Sequence, residues 1–305
     1  MKTENNEDMK NETGPTVICE QTRRLASEAF LAAIQKVWGT RFSELQLKEL
    51  WLQELRKNDN LFPSGWYTSF SPKGPPEGIG VLIGNEKEPG RLNYQSLRPP
   101  ENHPREDIYF DPQTGLAYVY TSPVDRETGT IGDWGMTFYA GKKPEIIDYL
   151  KLVYGINYQI AKVIRPGKKV GDVCQEACAI FQENGLTNNV TSVTDPLGIN
   201  IGHSVPGTLE PYTEEELATI KGNNWFTACK VISDKRVFFN GTVDHVFKPG
   251  DCFTLEPRLA DSNKPHLPMV SFHTIVRVTE DDARLLENFT PIFQATGMDY
   301  MFTPS

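Results

Sequence analysis

Two kinds of secondary structure are expected in one stretch of the chain, Gly132-Asp-Trp-Gly-Met-Thr-Phe-Tyr-Ala-Gly-Lys-Lys-Pro-Glu-Ile-Ile-Asp-Tyr149. Its first part, residues 133–139, predicts a β-strand. From Pro144 to Ile164 apolar residues recur at helical spacing, which predicts an amphipathic helix. Arg165-Pro-Gly167 ends that helix, because proline and glycine do not continue it. A strand therefore leads almost directly into a long helix.

Three more helices are expected, one after this stretch and two before it. One runs from about Val170 to Asn184, where Gly185 ends it. Two amphipathic helices are expected between Glu20 and Leu55, separated by a turn at Gly39-Thr40. The pattern thus predicts two pairs of helices.

Short strands are expected in much of the remaining chain. Residues 107–110 and 115–122 are dense in β-branched and aromatic side chains, with turn residues between them. The region 190–278 reads mostly as β-structure, interrupted by a short helix near 213–221. Two helix pairs, each beside antiparallel strands, predict an α+β domain with a central sheet.

The bulk composition excludes several classes of protein. The chain has 305 residues and a formal net charge of −9, whereas a nucleic-acid-binding surface requires a basic patch. No apolar run approaches the ~18 residues of a membrane helix, and the first residues lack an apolar signal core. We therefore expect a cytoplasmic protein without nucleic-acid or membrane partners, with a disordered tail at 1–16 and a single domain at 17–305.

Five short motifs follow one another between residues 130 and 290. They are Asp133 with Thr137-Phe138 and Gly141, Arg165-Pro-Gly167 with Val173, Gly202-His203-Ser204, Pro249-Gly-Asp-Cys-Phe-Thr-Leu-Glu-Pro257, and Phe272-His-Thr-Ile-Val-Arg-Val278. In this order they resemble the pita-bread family, which includes creatinase, prolidase and methionine aminopeptidase. The resemblance implies a pita-bread fold, in which a central curved antiparallel sheet is flanked by two helix pairs. It also implies the catalytic-type domain alone, without the extra N-terminal domain of creatinase and prolidase.

The resemblance further implies the composition of the site. In the family's aminopeptidases two Asp, one His and two Glu hold two metal ions, and water bound between the ions becomes a nucleophile. Asp133, His203 and Glu256 match three of these positions, whereas Ser122 and Phe272 stand where the family has the other Asp and Glu. Because neither replacement holds a cation, a two-metal site is not expected.

His103, in a proline-rich loop, resembles a histidine that the family carries above the site. Creatinase works without metal and uses such a histidine as its acid and base. The resemblance therefore implies that His103 exchanges a proton with the substrate while Asp133, His203 and Glu256 hold it. Histidine suits this task because its pKa lies near working pH. The alternative is a solvent-facing loop histidine without a catalytic role.

The remaining expectations concern a cation and the pocket. A single divalent metal such as Fe, Mn or Zn, held by Asp133, His203 and Glu256 with His103 as a further ligand, is an alternative to a metal-free site. Several side chains are expected to line a pocket for a small organic ligand. They are Tyr120, Ser122, Phe272 and His273, together with Trp66, Tyr67, Phe70 and Tyr118.

Three functions stay open at this point. The first is a metal-independent, creatinase-like enzyme that hydrolyses or rearranges a C–N or similar bond of a small-molecule substrate. The second is a metal-dependent hydrolase, either an aminopeptidase or Xaa-Pro peptidase or an enzyme with one metal ion. The third is a catalytically inactive domain that binds a peptide or protein. Homodimerisation also stays open, because some relatives dimerise and others do not.

Overall fold

The computed structural model describes residues 14–66, 74–190, 195 and 197–302. The helices of these residues are α1 (Pro15–Ile34), α2 (Glu44–Leu55), α3 (Pro144–Val163), α4 (Val170–Glu183), α5 (Glu214–Lys221), α6 (Trp225–Asp234) and α7 (Thr290–Ala295). Their strands are β1 (Phe42–Ser43), β2 (Leu61–Phe62), β3 (Ile79–Asn85), β4 (Tyr109–Phe110), β5 (Gly115–Thr121), β6 (Val124–Asp125), β7 (Trp134–Tyr139), β8 (Leu186–Asn188), β9 (Cys252–Leu255), β10 (Leu259–Asp261), β11 (Phe272–Val278) and β12 (Ala283–Leu286).

A six-stranded antiparallel sheet forms the centre of the fold. Its strands follow the order β12-β11-β7-β5-β3, and β9 pairs with β11 as well. Strand β11 pairs with β7 at Phe272 and His273, and then with β9 from Thr274 to Arg277. The start of β7 and the end of β9 therefore meet at one point of β11, and the site lies there.

The first helix pair covers one face of this sheet. Phe30 of α1 packs 4.9 Å from Trp51 of α2 and 5.1 Å from Trp134 of β7, measured between ring centroids. Alternate residues of a strand face opposite sides. Because Trp134 faces the helices, Asp133 on its N-terminal side and Gly135 after it face away from them. This alternation assigns Asp133 to the side that carries the site.

The second helix pair has the bounds that its sequence predicts. Helix α3 begins with a proline at Pro144, where the absent N–H costs nothing, and ends at Val163, before Arg165-Pro166. Helix α4 ends at Glu183, and Gly185 follows with a φ of +69°. The predicted α+β pita-bread fold, with two helix pairs beside an antiparallel sheet, is confirmed.

Other expectations need correction or fall outside the description. Helix α1 begins at Pro15, so residues 15 and 16 are helical rather than part of a tail. Residues 1–13, with most of the expected tail, and the pocket residues Tyr67 and Phe70 lie outside the described residues. No helix in the described ranges has the length and apolar character needed to cross a membrane.

The described part of the region 190–278 contains less β-structure than expected. Helix α6 follows α5 there, and the side chain of Asn224 caps it by accepting a hydrogen bond from the N–H of Thr227. Cys229 and Ile232 of α6 pack in one apolar cluster with Ile220 of α5. The β-branched and aromatic residues of α6 favour a strand locally, and this tertiary packing overrides that preference.

Candidate functional site

His203 lies on an irregular segment beside β9. The N–H of Thr254 donates to the carbonyl of His203 at 2.7 Å, and the N–H of Glu256 donates to the carbonyl of Ile201 at 2.9 Å. Gly202 has a φ of +150°, and a Cβ atom there would lie 2.0 Å from the carbonyl oxygen of Thr254. Only glycine fits so close an approach. This contact brings His203 beside the end of β9.

The ring of His203 points one nitrogen at two carboxylates. Its Nδ1 lies 2.9 Å from the carbonyl oxygen of Ser204, which assigns the ring proton to Nδ1. Its Nε2 then faces Asp133 Oδ2 at 3.7 Å and Glu256 Oε1 at 3.6 Å. Burial, with the nearby charge of Arg236, lowers the pKa of His203 to about 3. The ring is therefore neutral, and a lone pair faces the two acids.

Asp133 is fully buried, and its two carboxylate oxygen atoms differ in their hydrogen bonds. The hydroxyl of Tyr120 donates to Oδ1 at 2.7 Å. Among the described residues Oδ2 has no hydrogen-bond partner. Burial raises the pKa of this carboxyl group. A buried carboxylate oxygen without a donor is costly, and a bound cation would remove that cost.

His273 lies in the site, and Phe272 does not. The Nδ1 atom of His273 is 3.4 Å from Glu256 Oε2, and its Nε2 atom is 2.8 Å from the hydroxyl of Tyr118. The ring of Phe272 packs on the other face of β11, 5.1 Å from the ring of Tyr154. The expectation that Phe272 lines the pocket is thereby corrected. The reason is the two-residue period of a strand, which turns neighbouring side chains to opposite faces.

Glu256 connects the two histidines. Burial, together with the charge of Asp133, raises the pKa of Glu256 to about 8, against the opposing charges of Arg258 and Arg236. Its side chain keeps 16% of its surface exposed. Glu256 is therefore more exposed than Asp133, His203 and His273, whose side chains are 1%, 6% and 5% exposed. Asp133, His203, Glu256 and His273 are called the central cluster below.

Buried Arg23 of α1 supports the central cluster from behind. Its guanidinium donates to the carbonyl oxygens of Asp133, His273 and Glu287, the last two at 2.7 and 2.6 Å. Burial lowers the pKa of Arg23 to about 10, so the group stays charged at neutral pH. One side chain thus ties α1 to both strands that carry cluster residues.

Of the other expected site residues, Trp66 and Ser122 contact each other beside His203, and His103 follows a short 3₁₀ turn at Pro100–Asn102. The indole N–H of Trp66 donates to Ser122 Oγ at 2.9 Å, and the Trp66 ring lies 5.3 Å from the ring of His203. His103 is half-buried, and its Nε2 lies 3.1 Å from the carbonyl oxygen of Arg98. Within the part of the chain that the structure describes, no hydrogen bond or ion pair joins His103 to the cluster. Its role as proton carrier stays a prediction.

The fold and the converging carboxylate and imidazole groups together define a protein of the creatinase/aminopeptidase class. A model of metallopeptidase family M24 matches residues 124–280, which is just over half of the 305-residue chain. The chain belongs to this family, whose fold is that of a hydrolase. A search of curated proteins finds no match.

Solved structures agree with this assignment. Methionine aminopeptidase from Rickettsia prowazekii has a TM-score of 0.58 and 14% identity, over 94% of this chain and 99% of that one. Prolidase from Pyrococcus furiosus has a TM-score of 0.55 and 16% identity, over 93% of this chain and 64% of that one. X-Pro aminopeptidase from Thermotoga maritima MSB8 has a TM-score of 0.57 and 12% identity, over 92% and 61%. This chain thus spans less than two thirds of the prolidase and the X-Pro aminopeptidase, and at these identities the likeness shows the fold alone.

The family implies metal, and the residues present fit one ion better than two. Ser122 offers only a neutral hydroxyl, whose Oγ accepts from the indole N–H of Trp66 and which also hydrogen-bonds to Asp133, and the ring of Phe272 faces away. One oxygen or nitrogen each of Asp133, Glu256 and His273 lies within 4.8 Å of the others. Among the described side chains, Asp133 Oδ2 and His273 Nδ1 are buried without hydrogen-bond partners. Asp133, Glu256 and His273 thus suit one divalent cation, and His203 Nε2 lies beside their carboxylates, 3.7 Å from Asp133 Oδ2 and 3.6 Å from Glu256 Oε1.

The sequence motifs predict three of the four cluster residues, and His273 is expected only to line the pocket. The signal that identifies His273 is the alternation along 272–278, because Phe272, Thr274 and Val276 cannot share its face. Arg23 gave no signal, since a single arginine on an amphipathic helix usually faces solvent.

Proposed function

We propose that this chain is a hydrolase that binds one divalent metal ion through the central cluster and cleaves an amide or peptide bond of a small substrate. The proposal is supported by two buried atoms, Asp133 Oδ2 and His273 Nδ1, that have no hydrogen-bond partner among the described residues, in a family of hydrolases. Two imidazoles and two carboxylates suit Mn²⁺, Fe²⁺ or Zn²⁺. Such an ion, when bound, polarises a substrate carbonyl and lowers the pKa of water.

The chain's own residues supply the orientation. The carbonyl of Ser204 holds the proton of His203 on Nδ1, so Nε2 keeps its lone pair towards the cluster. The hydroxyl of Tyr120 fixes the rotation of the Asp133 carboxylate. Arg23 holds the backbone of two cluster residues in place. Substrate would reach the cluster from the Glu256 side, where the site keeps exposed surface.

The test combines metal analysis with activity. Purified protein is dialysed against a chelator, reloaded with Mn²⁺, Fe²⁺ or Zn²⁺, and analysed for metal by mass spectrometry. It is then assayed with an Xaa-Pro dipeptide, an X-Pro tripeptide and a tripeptide with N-terminal methionine. We expect one equivalent of metal and hydrolysis that depends on it. His203→Ala should lose the bound metal and the hydrolysis. The control is His266→Ala, which replaces an exposed histidine paired with Glu145 and should keep the metal and the hydrolysis.

Two equivalents per chain would contradict the single-ion centre, and metal-independent turnover would favour a second candidate. That candidate is the metal-independent, creatinase-like enzyme, and Glu256 favours it. With a pKa of about 8 from burial and the Asp133 charge, a cation-free cluster holds a proton on Glu256 at neutral pH. This proton gives the site an acid without metal.

His103 distinguishes the two candidates further. If His103 carries protons, His103→Ala should lower turnover by about 10²- to 10⁴-fold. A change within about threefold would remove His103 from the mechanism. Protein that hydrolyses no substrate, with or without metal, would instead support the peptide-binding domain.

A further inference from the structure

Strand β5 presents alternate side chains to the central cluster. Tyr120 pairs with Gly135 of β7, and Tyr118 pairs with Thr137. Both tyrosines therefore lie on the face that carries Asp133. A Cβ atom at Gly135 would lie 3.3 Å from the Tyr118 hydroxyl and 3.3 Å from the Tyr120 ring. The glycine leaves room for both side chains beside the cluster.

Tyr120 occupies one oxygen atom of Asp133. Its hydroxyl donates to Oδ1 at 2.7 Å, and only Oδ2 is left without a hydrogen-bond partner in the described chain. A carboxylate that bridges two ions commonly offers one oxygen to each, and each oxygen has two lone pairs. The Tyr120 hydroxyl therefore competes with a second ion for Oδ1, whereas Oδ2 is open to the first.

Tyr118 occupies one nitrogen atom of His273 in the same way. Its hydroxyl lies 2.8 Å from Nε2, whereas Nδ1 lacks a hydrogen-bond partner among the described residues and lies 3.4 Å from Glu256 Oε2. The nitrogen of a histidine that binds metal is set by the hydrogen bond that the other nitrogen makes. When the Tyr118 hydroxyl accepts from Nε2, the proton of His273 is on Nε2 and the lone pair is on Nδ1, and this is the tautomer that we assign.

We infer that Tyr118 and Tyr120 are positioning residues that restrict the centre to one cation, and that they select Oδ2 of Asp133 and Nδ1 of His273 as its ligand atoms. This inference rests on the proposed metal-binding function and goes beyond it. Among the described residues, the two tyrosines leave Asp133 Oδ2 and His273 Nδ1 without hydrogen bonds, and these are the two atoms that would bind the cation. One strand thus sets both the number of ions and the identity of two ligand atoms.

The number of ions is tested by adding a carboxylate next to Asp133. The pairing of Thr121 with Trp134, continued by one residue, places Ser122 opposite Asp133. The variants are Ser122→Asp alone and Ser122→Asp with Tyr120→Phe, and bound Mn²⁺ is counted by mass spectrometry after equilibrium dialysis. We expect one ion in the parent and in Ser122→Asp, and two in the double variant. Two ions in Ser122→Asp, or one in a folded double variant, would overturn the role of Tyr120.

The ligand atoms are tested with Tyr118→Phe, which keeps the ring and removes the hydroxyl. Protein labelled with ¹⁵N-histidine and loaded with Zn²⁺ should show His273 bound through Nδ1. In Tyr118→Phe we expect a signal for binding through Nε2 to appear, and a Zn²⁺ affinity lower by about 10- to 100-fold. A structural role alone would lower stability without moving this signal. This second test also keeps the inference open to disproof if the Ser122→Asp variants fail to fold.

The outcomes separate this inference from the function on which it rests. Parent protein that binds no cation refutes the proposed metal centre, and the inference falls with it. Parent protein with one cation, whose His273 signal and affinity are unchanged in Tyr118→Phe, refutes the role of Tyr118 alone.

Discussion

At the scale of single residues, Phe272 and His273 are neighbours in the chain with unrelated surroundings. Phe272 is buried among the rings of Tyr154, Phe289 and Phe293. His273 is buried beside Glu256 and Tyr118. One residue therefore contributes to the apolar core, and the next contributes to the site.

We expect alanine substitutions at these two positions to separate stability from cation binding. Phe272→Ala leaves a cavity and should lower the free energy of unfolding by ~3–5 kcal/mol. His273→Ala should lower the affinity for Mn²⁺ by more than about tenfold. The loss of a residue that only hydrogen-bonds to a metal ligand already lowers metal affinity by about that factor. Urea denaturation and Mn²⁺ titration measure the two effects. If His273→Ala bound Mn²⁺ as tightly as the parent, His273 would not be a ligand.

At the scale of elements, helix α1 is joined to the sheet through one buried charge. Arg23 donates to backbone carbonyls of β11, of Asp133 at the start of β7, and of the segment after β12. Its neighbour Arg24 is exposed and pairs with Glu28 one helical turn away. The chain thus offers a matched pair of arginines that differ in burial.

Replacing each arginine by methionine should show the difference. Arg23→Met leaves three carbonyl groups without their donor and should cost about 3–5 kcal/mol of stability, the usual loss when a buried charged partner is removed. Arg24→Met should change stability by less than about 1 kcal/mol, because exposed pairs contribute little. Thermal and urea denaturation of both variants provide the measurement. Equal losses would mean that the burial of Arg23 has no energetic consequence.

At the scale of the whole molecule, the central cluster gathers four distant parts of the chain. Asp133 precedes β7, His203 lies beside β9, Glu256 follows β9, and His273 lies on β11. A ligand that binds all four stabilises the folded state alone, since the unfolded chain does not bring them together.

A bound cation should therefore raise the melting temperature of the protein. At a free concentration of about 100 times the Kd, the expected stabilisation is ~2.7 kcal/mol, which corresponds to several degrees for a chain of this size. The comparison is a thermal scan with and without Mn²⁺, for the parent and for His203→Ala. A shift of the same size in His203→Ala would place the ion elsewhere.

Local patterns in the sequence predict the fold class and, to within one residue, the bounds of the second helix pair. Proline and glycine act locally, so the start of α3 at Pro144 and the end of α4 before Gly185 could be read directly. Ordered motifs likewise identified Asp133, His203 and Glu256. These conclusions depend on residues that lie close together in the chain.

The tertiary structure alone brings His273 beside Glu256, sets Tyr118 and Tyr120 against His273 and Asp133, and places Arg23 behind them. Each of these contacts joins residues 13 to 250 positions apart. They depend on strand register and on which face of β11 meets β7. The alternation along 272–278 separates the face of His273 from that of Phe272, but a shift of one residue in register exchanges the two faces, so the local pattern does not report which face meets the site.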